Sequence, residues 1–431
     1  MSFHHKTQSL CDICFKKVPA YTFIKNGTVF LKKECPRHGR FEEKHFWDDP
    51  EIYRKLLKIK TTDPQPANLS IALTYRCNLK CPVCYAKASE MPSKDFNPAN
   101  LEKIKNYKGI LLTGGEPTMR QDLPGIIKKI RNSGKRVTIF TNGLKLASKK
   151  YLRRLEEVGL SSIIIQFDTL DSGTAVYMRG QDLIEVKKRA IQNIQRIKIP
   201  LYLYSVMLKD KNSGNISKIL KFAFQYPVIK MVSFNTMGTI GRCDKEDFLP
   251  TSQIVSQVCK TLGIEKSEWI ESSEFLNTMD KFPYLKKRSR RIFSKCSLKC
   301  LLLKHRGKLI PITRVFDILR INREVEEAYS KGKGRFRLFL FAFSLFYREV
   351  LLNFFRNINF RIFLISALKN IKYLFGRNYS LLNPFFIVAV TVVPSLENID
   401  QDFLKECNIY SVTPGNLSPR PACIYRVTKN K

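Results

Sequence analysis

The stretch that most constrains this chain is residues 70–85, Ser-Ile-Ala-Leu-Thr-Tyr-Arg-Cys-Asn-Leu-Lys-Cys-Pro-Val-Cys-Tyr. Ile71 and Leu73, set among small residues, predict a short strand. The strand runs into a loop bearing Cys77, Cys81 and Cys84, spaced C-x3-C-x2-C. One loop can bring three thiolates so spaced to a single point, which suits a cuboidal iron–sulfur cluster. A four-iron cluster held by cysteine normally takes four thiolates, so three with no fourth nearby leave one iron without a protein ligand. An open metal position marks a catalytic rather than a structural centre. A zinc knuckle, or three cysteines with separate roles, fits the same spacing.

Apolar runs then alternate with amphipathic stretches. The pattern predicts strands at 110–112, 137–140, 162–167, 201–206 and 231–234, and helices at 121–132, 148–158, 182–197 and 215–226. With the strand at 70–74 this gives six βα units within 67–240, short of the eight that close a TIM barrel. Chemistry in such folds gathers where the strands' carboxyl ends meet the loops. The candidates there are Gly114-Gly115-Glu116-Pro117 after the second strand, Asn142 after the third, Asp168 at the end of the fourth with Arg179 beyond it, and Ser205 on the fifth. Two adjacent glycines let backbone approach a ligand closely. Isolated polar residues at strand ends also serve as ordinary helix caps.

Before the barrel, residues 1–66 carry Cys11-Asp-Ile-Cys14 and Cys35-Pro-Arg-His38 on either side of a hairpin pattern turning at Asn26-Gly27. Two thiolates on one knuckle and one or two ligands on a second make a ribbon-like tetrahedral site, suited to zinc or a rubredoxin-like iron. His38 is either the fourth ligand or a turn residue. Thr62-Asp-Pro-Gln-Pro-Ala reads as a linker. The twelve cysteines fall in close pairs and a triplet, metal spacing rather than a secreted disulfide framework. The first residues have no apolar h-region, so a reducing cytoplasm is expected.

After the barrel, residues 241–330 hold Cys296 and Cys300, and the tail, 394–431, holds Cys407 and Cys423. A C-x3-C pair supplies two cluster ligands and needs two more. The turn-rich surroundings of Cys407 and Cys423 favour them over Cys243 and Cys259, the last of which lies on the apolar face of a predicted helix. Residues 331–393 are rich in Phe and Leu, with ten Lys or Arg and only Glu349 as an acid between 331 and 378. No uninterrupted apolar run there approaches the roughly 20 residues of a spanning helix. The stretch reads as an interfacial amphipathic helix, with a helical pair packed on the barrel as the alternative. The whole chain has 75 Lys and Arg against 37 Asp and Glu, a net +38, which favours anionic partners such as a lipid surface or phosphorylated substrates. A Lys-rich solvated surface gives the same balance. Nucleic acid is disfavoured, because no RNA module accompanies the dense aromatics.

Taken together, Cys77-x3-Cys81-x2-Cys84-Tyr85 and the Gly114-Gly115-Glu116-Pro117 turn resemble the signature of the radical S-adenosylmethionine (SAM) superfamily. The resemblance implies an α/β fold, an open, partial (β/α)6 TIM-like barrel, with the three cysteines holding a [4Fe–4S] cluster whose open iron chelates SAM. Reductive cleavage of SAM then yields a 5′-deoxyadenosyl radical that abstracts hydrogen from substrate. It further implies that Gly114, Gly115 and Glu116 meet the SAM amino group, that Tyr85, Asn142 and Ser205 lie beside SAM, and that Asp168 approaches the ribose or substrate. Arg179 would face the SAM carboxylate, and a reduced protein such as ferredoxin or flavodoxin would supply the electron. The combination with the amino-terminal cysteines, Gly307-Lys-Leu-Ile-Pro-Ile-Thr-Arg and the terminal cysteines resembles one archaeal subgroup. That subgroup comprises tetraether lipid synthases and radical SAM methyltransferases of a pterin. It implies an isoprenoid membrane lipid as the first candidate substrate, a pterin-like heterocycle as the second, and an auxiliary [4Fe–4S] cluster on Cys296, Cys300, Cys407 and Cys423. A non-catalytic, membrane-associated metal-binding adaptor is the reading from another class. The carboxyl-terminal extension is expected to be partly helical, peripheral on the inner membrane face.

Overall fold

Alternation of apolar and polar residues shapes the amino-terminal ribbon. Strands β1 (His4–Leu10), β2 (Lys17–Lys25) and β3 (Thr28–Cys35) pair antiparallel, with β4 (Gly39–Arg40) and β5 (Lys44–Trp47) both on β3. The two-residue turn between β2 and β3 has φ of +48° at Asn26 and +71° at Gly27, which the sequence Asn-Gly tolerates and which matches the twist of a hairpin. Helix α1 (Pro50–Lys58) follows and buries Ile52, Tyr53 and Leu56. The computed structural model describes residues 4–58, 68–90, 94–103, 106–237, 241–242, 248–279, 296–305, 308–330, 344, 347–348, 357–369, 385–393, 399–405, 407 and 409–422. The expected linker at 62–67, Cys243, Gly307 and Cys423 lie outside them.

The six barrel strands form as their composition dictates. They are β6 (Asn68–Thr74), β7 (Gly109–Gly114), β8 (Arg136–Thr141), β9 (Ser162–Gln166), β10 (Leu201–Val206) and β11 (Ile229–Met237), each parallel to the next. Residues such as Ile71, Leu112, Ile139, Ile163 and Leu203 are fully buried, as in a parallel sheet covered by helices. The covering helices are α2 (Leu123–Asn132), α3 (Lys149–Glu157), α4 (Ser172–Arg179), α5 (Ile184–Ile197) and α6 (Ile216–Phe224), then α7 (Thr251–Leu262) and α8 (Lys266–Met279). The sequence pattern foretold the six strands and helices α2, α3, α5 and α6 to within a few residues, and part of α7, but neither the short α4 nor α8.

Beyond the barrel the chain returns to the sheet. Strands β12 (Ser297–His305) and β13 (Lys308–Pro311) precede helices α9 (Ile318–Ser330) and α10 (Ile358–Lys369), strand β14 (Phe385–Val393), helix α11 (Gln401–Lys405) and strands β15 (Ile409–Thr413) and β16 (Asn416–Pro421). The sheet order is β13-β12-β14-β11-β10-β9-β8-β7-β6-β15-β16. Because β14 runs parallel beside β11 and β15 parallel beside β6, one more parallel strand flanks the six on each side. This corrects the helical expectation for 385–393. Phe-Phe-Ile-Val-Ala-Val-Thr-Val-Val is β-branched and almost continuously apolar, the composition of a strand covered on both faces.

The rest of 331–384 is described only at 344, 347–348 and 357–369. There α10 packs onto the sheet: Phe360 is fully buried among Leu301, Leu303 and Ile387, edge-on to Phe316 at 5.6 Å between centroids. In this part the helix packs one face on the sheet, while Ile358 and Ile365 stay exposed. Among the described residues no helix is long and apolar enough to cross a membrane. Helix α11 ties the two ends of the chain together. Phe403 stacks on Tyr53 at 5.9 Å, Leu404 and Ile399 pack on Leu10 of β1, and Thr7 donates to Asp400 at 2.8 Å.

Candidate active site

Strand β6 ends at Thr74, and the irregular loop beyond it gathers Cys77, Cys81 and Cys84 in one apolar cluster with Leu79, Leu144, Leu183 and Val186. Cys81 is buried, the other two half-buried. Burial pushes the Cys77 thiol up to about 11, the Leu79 N–H works against this, and negative charge on Glu116, Cys81 or Cys84 raises it further. Bound iron would offset that penalty at Cys77. The loop is braced from the neighbouring strand end, where Asn142 Nδ2 donates to Asn78 Oδ1 at 2.8 Å.

The Gly-Gly-Glu-Pro turn crosses directly over the exit of β6. Gly115 N–H donates to Thr74 O at 2.7 Å, and Glu116 N–H to Arg76 O at 2.9 Å. Gly114 has φ of +129°, and a Cβ there would stand 2.1 Å from Thr74 O; one on Gly115 would stand 2.4 Å from Arg76 O. The paired glycines are therefore demanded by the chain's own crossing. Gly114→Ala is expected to cost about 1–3 kcal/mol in backbone strain and roughly as much again, about 1–3 kcal/mol, in overpacking. A denaturant-unfolding midpoint equal to the wild type would refute this.

Glu116 is 1% exposed, and its Oε1 accepts from Thr118 N–H (3.0 Å), Thr118 Oγ1 (2.6 Å) and Thr141 Oγ1 (2.7 Å), while Oε2 accepts from Asn142 N–H (2.7 Å). Burial raises its pKa, against the pull of those donors. One acceptor position on Oε2 remains. The carboxylate thus fastens the end of β7 to the end of β8, and through Asn142 to the cysteine loop.

On the other side of the loop stands a buried ion pair. Asp168 Oδ2 accepts from Arg179 Nε at 2.9 Å, with Nη2 at 2.8 Å, and Oδ1 accepts from Val206 N–H at 2.8 Å. Gln166 Nε2 also donates to Oδ2. Burial works against the Arg179 charge, and Asp168 and then Cys81 beside it more than restore it, so its pKa is raised. Arg179 links Asp168 to a cysteine of the loop. Ser205 is fully buried and its hydroxyl donates to Phe167 O, so its proton is committed within the sheet. The Tyr85 hydroxyl lies 3.3 Å from Thr113 Oγ1.

Sequence reasoning missed Lys187, which stands beside Lys188 in no recognisable motif. It shares a helix face with Leu183 and is 4% exposed. Burial pushes its ammonium down to about 8, Asp168 and Cys81 pull it up and Arg179 pushes it down. The second omission is Arg242, for which the sequence offers no signal: it stands outside every strand and helix and far along the chain from the loop it contacts.

The ribbon carries a separate centre. The donor atoms of Cys11, Cys14, Cys35 and His38 all lie within 4.8 Å of one another, and His38 Nδ1 is 3.4 Å from Cys11 Sγ and 3.5 Å from Cys35 Sγ. The structure brings His38 in as the fourth donor, and three thiolates with one imidazole are a zinc set. Burial raises the Cys11 thiol, but the Cys14 and Ile13 N–H groups outweigh it and bring the pKa down to about 6. Lys33, 2% exposed, clasps the knuckle through Leu10 O at 2.9 Å and Asp12 at 2.6 Å. His38→Ala is expected to lower zinc affinity by about 10-fold or more, since a closed site of four donors loses one. Competition with a colorimetric chelator measures it, and unchanged retention would exclude His38 as a ligand.

The second cysteine set is not assembled by the described residues. Cys296 O accepts from Val392 N–H at 2.9 Å and Cys300 pairs with Val388, so the two cysteines lie along one extended strand. Four residues of strand hold their Cα atoms roughly 13 Å apart. Cys300 is fully buried in the core, and burial drives its thiol far up. Cys407 Sγ donates to Ile409 O at 3.0 Å beside β15, beyond the far flank of the parallel strands from β12. The apolar Leu301-Leu302-Leu303 run recruits the C-x3-C pair into β12, which a spacing argument does not see. Cys259 is half-buried against the core, as its helix pattern predicted.

Three thiols gathered at the carboxyl mouth of a six-unit barrel are the arrangement expected of an iron–sulfur enzyme of the barrel class. Comparison with known proteins agrees. The radical SAM superfamily model matches residues 71–223, and the HMPTM N-terminal zinc ribbon domain model matches residues 3–46. The 7,8-dihydro-6-hydroxymethylpterin dimethyltransferase of Methanocaldococcus jannaschii is 30% identical over 378 residues, 76% of this chain and 74% of the relative. A probable GTP 3′,8-cyclase of Pyrococcus abyssi is 31% identical over 162 residues, 36% of this chain and about half, 52%, of the cyclase. Among solved structures, Streptococcus suis SuiB bound to S-adenosylmethionine superposes with a TM-score of 0.39 at 16% identity, covering 52% of this chain and 48% of that one. The chain belongs to the radical SAM superfamily, within the subgroup that contains the Methanocaldococcus pterin dimethyltransferase. It is an enzyme that takes a [4Fe–4S] cluster and SAM, with a zinc ribbon at its amino terminus.

Proposed function

We propose that this enzyme transfers methyl groups to a pterin-like heterocycle. The observation that carries the reading is the extent of the likeness to the pterin dimethyltransferase, which takes in three quarters of both chains, far beyond the barrel shared with the cyclases. Cys77, Cys81 and Cys84 hold the cluster. Gly114 and Gly115 present backbone to SAM, while Glu116, Asn142 and Asp168 act mainly by bracing the loops that form its seat. Arg179 supplies a fixed positive charge beside Cys81 for the SAM carboxylate. SAM and the cluster together supply hydrogen abstraction from an unactivated C–H, chemistry that belongs to cofactors rather than side chains. Ser205 contributes through the strand it pins.

The lipid-coupling reading now rests on the basic stretch after residue 330, most of which lies outside the described residues. The test is an anoxic reaction of reconstituted enzyme with SAM, a strong reductant and either a dihydropterin or an isoprenoid ether lipid. A pterin gaining one or two methyl groups by mass spectrometry is the expected result. Hydrogen loss with joined lipid tails would replace this reading with the lipid one. Absence of SAM cleavage from cluster-loaded protein would support the adaptor.

A further inference from the structure

Gly241 and Arg242, beyond the carboxyl end of β11, fold back onto the cysteine loop that follows β6. The main-chain N–H of Arg242 donates to Cys84 O at 2.9 Å, and its Nη1 donates to Cys81 O at 2.7 Å. Its Nη2 donates to Ala88 O, and its Nε meets the Glu90 carboxylate. The side chain is largely buried, 17% exposed, where Glu90 is 54% exposed. Gly241 leaves no space between the segments: at φ of +73°, a Cβ there would stand 2.2 Å from Cys84 O and 2.5 Å from Tyr85 Cα.

A guanidinium presents five donors in a rigid planar fork, and here the fork reaches two loop carbonyls and a carboxylate together. An ammonium has three donors at a single point and cannot span them. The carbonyls of Cys81 and Cys84 belong to a loop with no strand or helix to fix them. Their direction sets the rotation of the two residues, and so where the thiols aim. We propose that Arg242 is a positioning residue for the [4Fe–4S] cluster, latching the last of the six barrel strands onto the cysteine loop of the first and pre-setting Cys81 and Cys84. The inference rests on the assignment of Cys77, Cys81 and Cys84 as cluster ligands. Such a latch acts on cluster binding before any substrate is present, so it is read without turnover.

The experiment compares full-length wild type, Arg242→Ala, Arg242→Lys and Glu90→Gln after anoxic reconstitution with iron and sulfide. Iron, sulfide and zinc are quantified, and electron paramagnetic resonance spectra of the reduced cluster are recorded with and without SAM. Arg242→Ala is expected to hold cluster iron about 10- to 100-fold more weakly, the range for loss of a group that orients a metal ligand, with ribbon zinc at wild-type level. Arg242→Lys is expected to recover part of the iron with an altered spectrum, and Glu90→Gln to load fully, because the carbonyl contacts survive. Wild-type iron retention and spectrum in Arg242→Ala overturn the proposal. Loss of iron and zinc together, with a lowered unfolding midpoint, also overturns it in favour of a general folding role. Wild-type protein that takes up no iron overturns the cluster assignment, and this inference with it.

Discussion

Cys77→Ala is expected to empty the barrel mouth of its cluster, about four irons per chain, and to abolish SAM cleavage while ribbon zinc is retained. The thiols share one apolar cluster, and burial makes Cys77 a reluctant anion alone, pushed to about 11. Once iron is bound, that reluctance is offset by the charge of the cluster. Removing one of three thiolates leaves two, too few to hold a four-iron cube whose fourth corner already lacks a protein ligand. Cys77 is only half-buried, so the lesion is chemical rather than structural. Parallel iron, sulfide and zinc assays measure it, and the ribbon, built from Cys11, Cys14, Cys35 and His38, reports that the chain has folded. A Cys77→Ala protein that keeps its iron would sink the assignment.

Asp168→Ala is expected to be strongly destabilising, at roughly 3–5 kcal/mol, the cost of leaving one partner of a buried ion pair alone. Both partners are buried, 2% and 8% exposed at the side chain, so solvent does not screen them. The substitution also strips the Val206 N–H of its acceptor. A denaturant-unfolding midpoint measures the loss. The paired change Asp168→Leu with Arg179→Met removes both charges and is expected to restore most of the stability, since apolar replacement of a whole buried pair is often neutral or better. It leaves the Cys81 side without its guanidinium, so stability returns while SAM affinity stays low. If the single variant unfolds at the wild-type midpoint, the pair is not the buried anchor described here.

The ribbon and the barrel were legible because their signals are local. Alternation and Asn26-Gly27 specified a hairpin, and a period of strand then helix specified six βα units. The triplet at 77, 81 and 84 and the Gly-Gly-Glu-Pro turn located the mouth of the barrel. Their detailed roles were less legible. The glycines at 114 and 115 look like a ligand cradle in sequence; the structure adds that they also let the turn cross the backbone of residues 74–76. Glu116 looks like a ligand-facing carboxylate; the structure adds that four donors from three residues also make it a brace. The Cys296 and Cys300 pair looks like metal spacing, yet the leucines after it draw both into a strand.

The metal chemistry could be read from the chain alone, since thiol spacing and turn composition are properties of a few consecutive residues. So could the half-barrel, because hydrophobic periodicity repeats unit by unit. Long-range packing brings 385–393 into the sheet beside β11, buries Lys187 beside Arg179 and closes Arg242 on the cysteine loop. Each of these depends on which distant segments share a sheet edge or a loop. That choice follows from total burial and backbone hydrogen bonding over the whole chain, and no local window of residues contains it.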